Sequence, residues 1–357
     1  LATLLVKDTQ RRTAEEVARA IEGVGGSFHE FSGNNSFGLT AEVLPSDITL
    51  ALQLLSDAIL RPAFKSATLE IERESALASL QESLDDVVSV GRKIMRAKFF
   101  GSHPFAIESG GDAAGLRAIA LADLRALYRH LIVSGNAVLA VAGDFEPKKL
   151  GPVLKAFLAK LPSGQVAQRP AKIISTVGDF IEQQPRQQAI VFQAFPGPGL
   201  QSPDYPVSEV ADELFSGMSS HLFERVREEK SLAYFVRSNR MVGLEVGLFY
   251  FYAGTSPERY SEVLAELDLE ILRVQQGRVT AEELRRCQIR LKAGKRMSQQ
   301  TNSARAMQAA LNAIYGQPVN DGPLYEARIE AVTLSDLQAF AQKYFQRSQR
   351  VQLVVKP

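Results

Sequence analysis

LADLRALYRHLIVSGNAVLAVAGD, running from Leu121 to Asp144, returns at the end of the chain as LSDLQAFAQKYFQRSQRVQLVVKP, from Leu334 to Pro357. The two stretches align without a gap at an offset of 213 residues, and the alignment reaches back to Leu116 and Ile329. Ala118, Asp123, Leu124, Ala126, Val138 and Val141 recur as Ala331, Asp336, Leu337, Ala339, Val351 and Val354. In each copy a helical period of apolar residues gives way to a strand period at the same place. The repeat therefore predicts two domains of one kind, each closing on a capped helix and a buried strand.

Working outward, LPSGQVAQRPAK (Leu161–Lys172) reads as a linker, because proline, glycine and polar residues interrupt both periods there. This divides the chain into a first domain at 1–160, a linker at 161–172 and a second domain at 173–357. The same offset puts the start of the first copy about 40 residues ahead of Leu1, so its opening strands are expected to be missing. The other reading is that the first domain is simply shorter. No basic stretch, short apolar run or small-residue cleavage site can be read at the start.

Strands and helices cluster instead of alternating singly. Thr13 with Glu16 forms a capping box for a helix whose face is Val17, Ile21 and Val24, closed by Gly25 and Gly26. Strands are predicted at Phe28–Phe31 and Phe37–Val43 around SGNN, followed by helices at Ser46–Leu60, Ala67–Ala97 and Leu121–Leu131 and a strand at Ala137–Ala142. The second copy predicts strands at Ile173–Phe180, Ala189–Ala194 and Leu244–Ala253. Its helices are Ser219–Glu229, Pro257–Gln275, Thr280–Ser298 and Leu334–Tyr344. The class is α+β: two homologous domains, each an antiparallel sheet with helices packed on one face.

Composition narrows the function. The 357 residues are 45% hydrophobic and 23% charged, an ordinary globular balance. Lys and Arg number 41 against 40 Asp and Glu, a net +1 that gives no electrostatic surplus for nucleic acid or an anionic membrane. The longest apolar runs are strand-sized, far short of the roughly 20 residues of a membrane helix. A single cysteine excludes an internal disulfide.

Few local motifs carry chemistry. His29, His103, His130 and His221 lie far apart, with no second His at helical spacing, so they read as separate surface or core residues and no metal site is expected. There is no GxSxG, and PGPGLQSP (Pro196–Pro203) reads as a loop, not a phosphate cradle. Cys287 stands on an apolar helical face with Leu284 and Leu291, a core position. One segment stands apart, DELFSGMSSHLFERVREEKSLAYFVRS from Asp212 to Ser238. It opens a helix after Gly217, buries Leu222, Phe223 and Val226, carries Arg225 and Arg227, and turns into a strand near Tyr234. From spacing alone, Arg227 could be a solvated helix charge and Tyr234 a half-buried strand aromatic.

At this segment the chain resembles the M16 peptidases (pitrilysin, insulin-degrading enzyme, mitochondrial processing peptidase), in particular the two-domain M16B branch. GMSSHLFERVREEKSLAYFV looks like the second-domain signature of that family, in which an Arg and a Tyr seven residues later form the R/Y pair, here Arg227 and Tyr234. Further blocks resemble the family in order: Arg11–Phe31, Thr40–Phe64, Gly135–Leu150 and Val279–Met307. The resemblance implies the M16-type metallohydrolase fold in both halves.

The departures from the family pattern are equally specific. Active members carry HxxEH on a helix of the first domain and a further Glu on a later helix. Registering LATLLVKDTQRRTAEE on that helix puts Ala2 at the general base and Thr3 at the second His, with the first His ahead of Leu1. ERESALASLQE puts Ser79 at the third ligand, beside Ala78. The resemblance thus implies a chain without zinc or another cofactor of its own, inactive alone, that forms a heterodimer with a zinc-bearing M16B subunit and supplies Arg227 and Tyr234 to peptide hydrolysis. The alternative is a structural scaffold without a peptidase role, like the core subunits of respiratory complex III. A self-sufficient zinc peptidase conflicts with Ala2, Thr3 and Ser79. Bacterial relatives of this type are often exported, which points to the periplasm.

Overall fold

The computed structural model describes residues 1–166, 173, 175–185 and 187–357. The first half of the chain forms α1 (Ala2–Leu5), α2 (Ala14–Glu22), β1 (Ser27–Ser32), β2 (Phe37–Glu42), α3 (Ile48–Leu60), α4 (Ser66–Ser83), α5 (Val87–Phe100), α6 (Ala113–Ala118), α7 (Leu121–Leu131) and α8 (Pro147–Leu158). The rest forms β3 (Gly178–Gln183), β4 (Ala189–Pro198), α9 (Tyr205–Phe215), α10 (His221–Phe223), β5 (Ala233–Val242) and β6 (Val246–Thr255). It ends with α11 (Tyr260–Gln275), α12 (Ala281–Ser298), α13 (Asn302–Ile314), α14 (Gly322–Glu330), α15 (Leu334–Tyr344) and β7 (Val351–Lys356). The class is α+β, as the sequence implies. Residues 167–172 of the expected linker lie outside the described residues.

Two compact units share these elements: Leu1–Gln81 with Ser109–Arg169 and Ser298–Asp321, and Glu82–Glu108 with Pro170–Met297 and Gly322–Pro357. In the first unit the Thr13 capping box forms as read, with Glu16 N donating to Thr13 Oγ1 at 3.2 Å and Thr13 N to Glu16 Oε2 at 2.8 Å. β1 and β2 pair antiparallel, and α13 packs against β2. Leu4, Leu5, Phe64, Leu69 and Leu124 close one apolar cluster, which joins α1, α4 and α7.

Two expectations for the first copy change. The single helix expected at Ala67–Ala97 is two, α4 and α5, because the Asp86 carboxylate accepts from Val88 N and Ser89 N at 3.1 and 3.2 Å and starts a new helix. Ala137–Ala142, expected as a strand, has no strand pairing among the described residues. A strand is defined by its ladder neighbours. In the second unit β7, the repeat of this segment, lies between β3 and β4.

The second unit is built on a five-stranded sheet in the order β3-β7-β4-β6-β5. Its strands pair antiparallel except β3 with β7, which run parallel. No hairpin joins those two strands, so nothing local imposes the antiparallel sense expected from sequence. The sheet is apolar on both faces. Val191, Phe195, Phe249, Phe251 and Val354 face α9, α11 and α15, while Ile190, Phe192, Leu248, Tyr250 and Leu353 face Met95, Phe99 and Phe100 of α5. A strand that reads as a continuous hydrophobic run, as AIVF does at Ala189–Phe192, is the kind that is covered on both sides. β4 also runs on through Pro196–Pro198, the start of the stretch expected to be a loop, pairing Pro198 with Val246.

The 213-residue offset carries α7 onto α15 residue for residue, and brings α5 within two residues of α13. Each of the latter two helices belongs to the compact unit of the other copy: α5 to the second, α13 to the first. The sequence spans 1–160 and 173–357 differ from the compact units by this exchange.

Candidate functional site

The segment from Ser220 to Phe235 departs from regular backbone three times. Ser220 caps the helix start as read, its Oγ accepting from Phe223 N at 3.2 Å. The regular helix expected over Ser219–Glu229 then gives way after Phe223 to a π-turn, Glu224–Glu229, in which Lys230 N donates to Arg225 O, five residues back, at 3.3 Å. Ser231 takes a left-handed φ of 48°, a costly conformation for a residue with a side chain. A β-bulge then falls in β5: Ala233 pairs with Thr255 and Phe235 with Gly254, so Tyr234 is the extra residue with no partner on β6. π-turns, left-handed residues and bulges are retained where a side chain must be re-aimed.

These departures bear directly on Arg227 and Tyr234. Leu232 N donates to Val226 O at 2.8 Å, closing Arg227–Ser231 into a loop. Arg227 leaves from one end of that loop and Tyr234 stands just past the other. Both are exposed, Tyr234 at 58%, while Val226 and Leu232 at the closure are buried in the apolar cluster beneath. The loop is held by Thr255 Oγ1 donating to Leu232 O at 2.5 Å and Arg259 Nη1 donating to Ser231 O at 3.1 Å.

The two arginines on the turn have different environments. Arg225 Nε donates to Glu266 Oε2 at 2.5 Å, and Lys230 Nζ to Glu266 Oε1 at 2.5 Å. Burial pushes the Glu266 carboxyl up, but the bonds from Lys230 and Arg225 outweigh it and hold the group below its ordinary value. One turn further along α11, Glu270 Oε2 meets His221 Nδ1 at 2.6 Å. Arg227, in contrast, lies 3.8 Å from its exposed neighbour Glu228 and 5.0 Å from the Phe223 ring, with no hydrogen bond to a carboxylate among the described residues. An exposed contact of that length binds weakly. Arg227 is therefore held less tightly than Arg225, whose Nε is fixed on a buried carboxylate.

Tyr234 rises from a strand anchored to α9. Arg240 on β5 donates to Glu209 Oε1 at 3.3 Å and faces Asp212 at 3.5 Å. Ser238 Oγ donates to Asp212 Oδ1 at 2.6 Å. Burial pushes both carboxyls up against the Arg240 charge. Sequence reading found Arg227 and Tyr234 through the family signature. It missed Glu266, whose partners lie 36 and 41 residues away and leave no local spacing to read.

The other candidates do not gather. His103 is buried and accepts from Phe105 N at 3.1 Å, a local cap, and burial lowers its pKa. His29 and His130 are exposed on β1 and α7. Cys287 is buried. At the positions registered on the family zinc site, Ala2 is buried, Thr3 half-buried and Ser79 exposed on α4. A methyl and two hydroxyls do not fit Zn²⁺, which takes imidazole, thiolate or carboxylate ligands. Among the described residues no three His, Cys, Asp or Glu side chains are grouped as a metal site.

Comparison with known proteins agrees along most of the chain. Residues 1–108 match the family model "Insulinase (Peptidase family M16)", and residues 118–291 match "Peptidase M16 inactive domain". An uncharacterized zinc protease of Mycobacterium leprae is 26% identical over 300 residues, covering 82% of this chain and 67% of that protein. One from Mycobacterium tuberculosis is 28% identical over 274 residues, so that the match spans 62% of its length. One from Streptomyces coelicolor is 25% identical over 351 residues, covering 96% and 76%. In fold, the chain is similar to the peptidase M16 inactive domain from Pseudomonas fluorescens, with a TM-score of 0.91 at 21% identity over 100% of this chain and 87% of that one. A protease from Helicobacter pylori gives 0.89 at 19% identity, covering 100% and 88%. With both of its halves matched by models of one family, the chain belongs to the M16 (insulinase) peptidases.

Proposed function

We propose that this chain is the non-catalytic subunit of an M16B-type heterodimer, completing the active site of a zinc-bearing partner for peptide hydrolysis. The observation that carries the reading is the contrast between its two halves. The second presents Arg227 and Tyr234 at the two sides of a closed, anchored turn, both exposed, with Arg227 facing only a long 3.8 Å contact to Glu228 among the described carboxylates. The first has Ala2, Thr3 and Ser79 where the family binds metal. Relatives named zinc proteases support peptide hydrolysis as the chemistry, and the departures at Ala2, Thr3 and Ser79 favour a metal held by another chain.

The role of the pair follows from its donors. A guanidinium presents a planar fork of N–H groups and a phenol one O–H, both able to bond a peptide carbonyl. When hydroxide adds to that carbonyl, its oxygen becomes an oxyanion, and donors already aimed at it stabilise the transition state more than the ground state. Arg227 supplies charge as well as hydrogen bonds, and Tyr234 a neutral donor.

The test is reconstitution. The chain purified from its source cells should bring with it a subunit containing HxxEH, be inactive alone, and give peptidase activity when recombined with that subunit. Recovery in a membrane assembly without peptidase activity would replace this reading with the scaffold.

A further inference from the structure

We propose that Glu266 is the positioning residue of the Arg227–Tyr234 pair: from the buried face of α11 it clamps both ends of the π-turn that carries Arg227. The inference rests on the function proposed above and names a residue that touches neither substrate nor metal. Glu266 is 6% exposed, and its two oxygens are divided, Oε2 to Arg225 Nε and Oε1 to Lys230 Nζ, each at 2.5 Å. Arg225 and Lys230 are the residues joined by the five-residue backbone bond of the turn, so one carboxylate fastens the same two positions a second time through their side chains. Arg227 lies between them. Directly after the clamp come left-handed Ser231 and the Leu232–Val226 bond, which close the loop ahead of Tyr234.

The charge balance makes the clamp specific to a carboxylate. Two cations converge on one anion, and a buried acceptor removed from such a set leaves the others without a partner. Glutamine has the same length but one acceptor oxygen, and its NH₂ would face a cation, so Glu266→Gln can keep one arm at most. Aspartate keeps the charge and loses one methylene of reach. A strained turn persists only while its surroundings over-determine it, so releasing one arm should let Glu224–Ser231 relax toward ordinary helix and re-aim Arg227.

The first arm of the test uses this chain alone. Hydrogen exchange of Glu266→Gln should show the Leu232 amide losing at least about 10-fold in protection, with the amides of β4 and β6 unchanged. Unchanged Leu232 protection, or equal loss across β4 and β6, would overturn the clamp. The second arm uses the recombined two-chain peptidase, in which Glu266→Gln should lower kcat about 10-fold with KM little changed and Glu266→Asp should recover part of the loss. An unchanged kcat in an enzyme that Arg227→Ala does slow would overturn the positioning role. If Arg227→Ala also leaves activity unchanged, the proposed function fails, and the clamp is judged by exchange alone.

Discussion

Arg225 and Arg227 are two residues apart and chemically identical, yet the fold gives them different surroundings. A buried carboxylate takes the Nε donor of Arg225, while Arg227 has an exposed 3.8 Å contact with Glu228 and the Phe223 ring beside it. Spacing alone does not separate them; the family signature does, but the partner that sets their environments apart, Glu266, comes from a helix 41 residues on. Cys287 is the opposite case, legible from its place between Leu284 and Leu291. It is 2% exposed, and burial pushes its thiol up to about 12. A thiol that is neither ionised nor accessible does not react. Native protein at pH 8 should leave Cys287 unlabelled by a thiol reagent over minutes, and unfolding in urea should expose one thiol per chain. Rapid labelling of the native chain would contradict this core assignment.

Among the elements, helices with their own caps formed as read, while one expected strand and the irregular turn before Tyr234 depended on neighbours that no local signal names. Capped helices such as α2, α7 and α15 carry their own start signals. Ala137–Ala142 has the residues of a strand without the ladder. The π-turn and the bulge at Tyr234 were invisible in sequence, because both arise from how α11 and β6 receive the segment. α5 lies so close to the sheet that a Cβ on Gly91 would stand 2.4 Å from Phe192 Cε2, whereas Gly294 on α12 has open space around it. Gly294→Ala should therefore stabilise the protein by about 0.5–1 kcal/mol through helix propensity. Gly91→Ala should destabilise it by about 1–3 kcal/mol, because a packed aromatic ring must move. Urea unfolding of the two variants checks the signs. Equal stabilisation by both would mean that α5 does not pack on β4 as described.

For the whole molecule, the repeat was the most informative feature of the sequence, since it gave the α+β class and the kinship of the two halves. It did not reveal that α5 and α13 are exchanged between the compact units. Such an exchange alters which core a helix enters and leaves its own apolar pattern unchanged. With a methyl and two hydroxyls at Ala2, Thr3 and Ser79, the purified chain should hold well below one zinc per molecule by atomic absorption. One tightly held zinc per chain would contradict the division of labour. If this chain lends donors to a reaction on another chain's metal, kcat and complex affinity respond differently to Arg227→Ala and Tyr234→Phe in the recombined peptidase. The kcat should fall about 100- to 1000-fold for Arg227→Ala and clearly for Tyr234→Phe, with affinity within about twofold for both. Full kcat in both variants at unchanged affinity would contradict it.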